Sequence, residues 1–138
     1  MLKVIVSIIG GLIAAFAIVF VFDAVFHSLA TGTAPADLTD REAMGAYVAN
    51  QPPAALAVVL VGWAVAVFAG SAIAARFSRR GSWPGWVVTV FFLLATLANF
   101  LMVPHPVWLM AAAIVLILIA GWLGSTTLAR QSEPLVGA

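Results

Sequence analysis

Long apolar runs separated by brief polar clusters organise this chain. Val4–Phe22 and Asn50–Ala75 contain no Asp, Glu, Lys or Arg, and a third charge-free run extends from Gly81 to Ala129. A helix needs about 20 apolar residues to cross the hydrocarbon core of a bilayer, so the third run is long enough for two crossings. Its polar interruption is Pro104-His105-Pro106. Two prolines remove backbone donors and turn the residue before each away from helix, which makes this a turn. The pattern predicts membrane helices at roughly 3–27, 53–76, 83–103 and 107–129 within a single transmembrane domain, residues 1–138. Barrel strands would alternate polar and apolar at every second residue, and these runs do not. The expected class is therefore all-α, an integral membrane four-helix bundle.

The connection between the first two crossings has its own pattern. Thr39-Asp40-Arg41-Glu42 reads as a capping box, in which Thr39 and Glu42 satisfy each other's exposed backbone donors. Met44, Tyr47 and Val48 then recur at helical spacing, and Pro52-Pro53 ends the segment. A short amphipathic helix is expected over about 40–50, lying on the membrane surface or capping the bundle.

Composition supports the membrane assignment. Hydrophobic residues make up 64% of the chain and charged residues 8%, against about a quarter charged in soluble domains. Too few polar groups exist to cover a water-facing surface, so lipid is the expected solvent and the bilayer the first partner. A formal net charge of +1 argues against nucleic acid, whose phosphates require clustered Lys and Arg. Cysteine is absent, which removes disulfides, thiolate nucleophiles and Cys-ligated metals. The N-terminal run exceeds a signal-peptide core and ends at Asp23 and His27 without a small-x-small cleavage site, so it reads as the first crossing.

Basic residues give the orientation. With alternating helices, Lys3, Arg76, Arg79, Arg80 and Arg130 fall on one side and only Arg41 on the other. This positive-inside bias predicts that both termini are cytoplasmic. Trp83 and Trp86 then suit the inner interface and Trp108 the outer one.

Helices in lipid associate through small residues more than through apolar burial. Gly62, Ala66, Gly70 and Ala74 form such a seam on the second crossing. Gly10, Gly11, Ala14 and Ala15 do so on the first, and Gly121, Ser125 and Ala129 on the fourth. The seams pack the monomer, or one of them forms a homo-oligomer face.

The predicted topology brings Asp23, His27, Asn99 and His105 to the outer third of the bundle. Asp23 and His27 lie at i, i+4 on one helical face, a natural spacing for a carboxylate–imidazole pair. Ionisable groups near hydrocarbon are costly unless paired or hydrated, and they raise a functional question. Three readings stay open: a structural Asp23–His27 pair with His105 a plain turn residue, a polar pocket handling protons or solutes, and a site in which His27, His105 and Asp23 hold a divalent ion. The spacing matches no recognised ligand motif, so no metal and no cofactor are assigned. Zinc-protease, nucleophile-elbow and phosphate-loop motifs are absent, and Ser28 points away from its neighbour His27. No catalytic residue is expected.

Asp23-x-x-x-His27, then Tyr47–Pro52 leading into a glycine-rich helix that ends Ala-Ala-Arg76, then Asn99-x-x-Met102-x-Pro104-His105-Pro106-x-Trp108, together give a specific arrangement. It resembles a group of small four-span bacterial inner-membrane proteins of unknown function. The resemblance covers most of the chain and implies a fold and a location but no activity. The residues do not match small multidrug transporters, fluoride channels or tryptophan-rich sensory proteins. Two functions follow as expectations: a non-enzymatic membrane protein associating with itself or a larger membrane complex, or a small transporter or channel using the outer polar cluster.

Overall fold

The computed structural model describes residues 1–130 and is helical, with α1 (Leu2–Leu29), α2 (Arg41–Ala49), α3 (Pro53–Ser78), α4 (Trp83–Met102) and α5 (Val107–Arg130). The C-terminal segment, expected on the same side as Lys3, lies outside the described residues. Four of the helices are long and apolar enough to cross a membrane. They run alternately up and down: Gly11 of α1 meets Gly70 of α3, and Phe22 meets Gly62, an antiparallel pairing. The observed bounds extend α1 by a residue or two at both ends and α3 by two at its C-terminal end, while α4 stops one residue early at Met102.

Helix α3 is the hub. It touches α1, α4 and α5 and buries half of its central span, whereas the other three crossings bury 22–33%. Its small residues explain this position. A Cβ on Gly70 would lie 2.6 Å from the Gly11 carbonyl oxygen and 3.0 Å from the Ala15 Cβ. A Cβ on Gly11 would in turn collide with the Gly70 carbonyl oxygen, so the two backbones meet directly. Gly62 receives the Phe22 side chain, whose Cβ lies 2.5 Å and ring Cγ 2.6 Å from where a Cβ would stand. On α5, Gly121 accommodates Thr89 and Gly124 accommodates the Phe68 carbonyl. At Gly62, Gly70, Gly11 and Gly121 these seams are thus filled within one chain. Gly10 is the exception, with open space where its Cβ would be.

The two ends of the bundle differ. Lys3 shares a groove with Ile73 and Phe77, which sets it at the same end as Arg76, Arg79 and Arg80. That basic end turns through Arg79, in the left-handed region at φ 52°, and Gly81 at φ 76°. In its half of the core, Ser71 Oγ and Thr89 Oγ1 lie 2.9 Å apart, and Thr89 Oγ1 donates to the Gly85 carbonyl at 3.0 Å. Ser125 Oγ, fully buried beside them, has no hydrogen-bond partner among the described residues. The opposite end, here the loop end, carries α2 and the Pro104–Pro106 turn.

Helix α2 caps the bundle mouth. Its N-cap differs from the expectation: Asp40, rather than Thr39, accepts from the Ala43 backbone N–H, at 3.0 Å. Thr39 instead donates its Oγ1–H and N–H to Asp37 Oδ1, at 2.6 and 2.8 Å. The shorter Asp37–Thr39 turn captures the threonine before the helix can. Those two bonds hold the exposed Asp37 carboxyl below its usual range. Three attachments then hold α2 in place. Arg41 Nη1 donates to the Leu101 carbonyl, one of the acceptors left open at the end of α4. Gly45 sits on the Pro104 ring, where a Cβ would come within 3.0 Å. Buried Gln51 joins the α2 end to the chain leaving α1: its Nε2 donates to the carbonyls of Thr31 (3.1 Å) and Tyr47 (3.0 Å), and its Oε1 accepts from Thr31 N–H at 2.9 Å.

Candidate functional site

Beneath α2 lies a cavity of about 350 Å³, at the small end of the range typical of ligand pockets. Asp23, His27, Asn99 and His105 all line it. Each arrives from a different local cause. Asp23 and His27 occupy the last two turns of α1, one helical step apart. Asn99 is on the last turn of α4, where its carbonyl accepts from Val103 N–H at 2.8 Å and ends the helix. His105 is presented by the two prolines, which bar the chain from continuing α4.

The four side chains share the cavity without bonding to one another. Asp23 and His27 do not form the expected pair: among the described residues no cationic nitrogen lies within 4.0 Å of the Asp23 carboxylate. Both are exposed on α1 at the rim of the cavity. His27 instead sets its ring edge against Phe26, with centroids 5.4 Å apart.

His105 is better fixed. Its Nδ1 lies 2.7 Å from the Val103 carbonyl oxygen. A carbonyl can only accept, so Nδ1 carries the proton, and in the neutral ring Nε2 keeps its lone pair. The ring packs edge-on to Phe100, with centroids 5.2 Å apart. Burial lowers the His105 pKa below the ordinary histidine value, partly offset by the bond to Val103, which favours the charged form. At neutral pH the pocket therefore holds a neutral imidazole able to accept a hydrogen bond.

The walls are apolar and aromatic. Phe26 of α1, Met44, Tyr47 and Val48 of α2, Leu56, Val59 and Trp63 of α3, and Leu109 of α5 line the cavity, with Ala34, Leu38 and Val103 from the connections completing the wall. The Met44–Tyr47–Val48 stripe thus faces the cavity, which is why α2 needed an apolar side. Trp63 was not legible as a site residue; the signal was a tryptophan in mid-span, away from both interfaces. Gln51 gave a weaker signal, a single amide before two prolines. Further inward the core closes. The Trp63 and Phe100 rings meet at a tilt, with centroids 6.0 Å apart, and Val67, Val88 and Ile117 are fully buried below them.

No group of three or more metal-ligating side chains is assembled among the described residues. The divalent-ion reading of His27, His105 and Asp23 gains no geometric support. Comparison with protein-family models, curated proteins and solved structures finds no match to this chain. The reading of the site therefore rests on its own chemistry.

Proposed function

We propose that this multi-pass membrane protein is a non-enzymatic binder of a small amphipathic molecule, held beneath α2 at the loop end. The observation that carries the reading is the convergence of Asp23, His27, Asn99 and His105 on one aromatic-lined cavity. A few polar groups set in an apolar concave wall fix a ligand's orientation, while the wall supplies contact area. Asp23 and His27 stand at the rim, so entry is at interface depth, where an amphipathic solute already concentrates.

The association reading relied on small-residue seams, and the tightest of these are occupied inside the chain. The transport reading requires a path inward, and fully buried Val67 and Ile117 stand below the cavity floor. A blind pocket favours binding over conduction. The protein's basic residues Lys3, Arg76, Arg79 and Arg80 cluster at the other end, which supports an outward loop end. The resemblance to four-span inner-membrane proteins points the same way.

Native mass determination after purification in mild detergent tests this reading. A single chain carrying a bound small-molecule mass is expected. A defined oligomer or hetero-complex without such a mass would favour association instead.

A further inference from the structure

The charge balance of the pocket narrows its ligand, an inference that rests on the binding reading above. One aspartate and two histidines line the cavity, with no Lys, Arg or Glu. At pH 8, above the ordinary histidine value of about 6.5, the formal charge of the lining is that of Asp23 alone. An anionic ligand would find no cation there. Asp23 stands at the rim of the cavity with no cationic nitrogen within 4.0 Å among the described residues, so its carboxylate is free to take a cationic partner. His105, with Nδ1 committed to the Val103 carbonyl, offers an acceptor at Nε2 and cannot donate from it while neutral. Tyr47 and Trp63 present aromatic surface to the same space, and aromatic faces attract cations, tryptophan most strongly.

We propose that the pocket selects small organic cations, protonated amines on an apolar body, with Asp23 as the counter-charge. Trp63 and Tyr47 supply cation–π contact, and His105 Nε2 accepts an N–H. Asn99, with both donors and an acceptor, tolerates either sign of partner and adds no preference.

Three probes of one shape separate the possibilities: phenethylamine, phenethyl alcohol and phenylacetate. They differ in charge and little in size. Each is measured by equilibrium dialysis at pH 8 against the full chain in nanodiscs, with empty discs of the same lipid subtracted for partition. The amine is expected to bind about tenfold more tightly than the alcohol, a difference of about 1.4 kcal/mol, with phenylacetate weakest. In Asp23→Asn the amine and the alcohol should bind within about twofold of each other. Filling the cavity by Val59→Trp should abolish binding of both. If amine and alcohol bind equally to the parent, or phenylacetate binds best, the cation proposal is overturned while the pocket reading stands. If no probe binds, or Val59→Trp leaves binding intact, both are overturned. The amine-to-alcohol ratio in the parent protein decides the matter even if a variant fails to fold.

Discussion

Asp40 and Thr39 show how closely a residue's role depends on its neighbours. Both are good capping types, and the sequence pattern favoured Thr39 because Glu42 follows three residues later. Asp37 decides otherwise by binding Thr39 through two donors, a local turn with no apolar periodicity to announce it. Asp40→Ala should therefore destabilise α2 by about 0.5–2 kcal/mol, read as lost hydrogen-exchange protection at Ala43–Val48, and Thr39→Ala should cost less. Equal losses would return the cap to Thr39. His105 makes a pH-dependent prediction. Because its folded pKa lies below the unfolded value, the unfolded chain binds the proton more readily, and stability falls as pH drops through about 6.5. The parent's thermal stability relative to His105→Gln should decline between pH 7.5 and 5.5. A constant difference would mean that the ring is hydrated in the folded state.

At the scale of elements, the four crossings, the proline turn and the α2 stripe were legible because hydrophobic runs and periodicity are local properties. What each seam packs against was not, since small residues announce close approach without naming the partner. Gly10 and Gly11 make this plain: adjacent in sequence, one faces open space and the other the α3 backbone. Gly11→Leu should strongly destabilise the bundle in a detergent melt, while Gly10→Leu should be near neutral. If both were tolerated, the α1–α3 contact would be looser than described. The convergence of Asp23, His27, Asn99 and His105 at one end also followed from the expected topology. The absence of an Asp23–His27 bond did not, because helical spacing permits that pair without requiring it. Gln51 adds an element-level test. Gln51→Ala removes the two hydrogen bonds that join the end of α2 to Thr31 and a third to Tyr47, and Thr31 is exposed enough to turn to water. The predicted result is faster hydrogen exchange in α2 and the adjoining loop, with the crossings unchanged.

The whole molecule is asymmetric along its long axis. Its basic end is closed by contacts among Ser71, Gly85, Thr89 and Ser125, and its loop end holds a pocket under a short helix attached at three points. The account requires that pocket to open at the loop end alone. Because the chain has no cysteine, single introduced thiols report access without background. Val59→Cys in the pocket and Ile117→Cys below its floor can each be challenged with a membrane-impermeant thiol reagent, applied separately to the two faces of sealed vesicles. The account predicts labelling at position 59 only from the face opposite the Arg76–Arg80 turn, and none at position 117 from either face. Labelling at 117 would reveal a path through the bundle, and an inert 59 would mean that no open pocket exists.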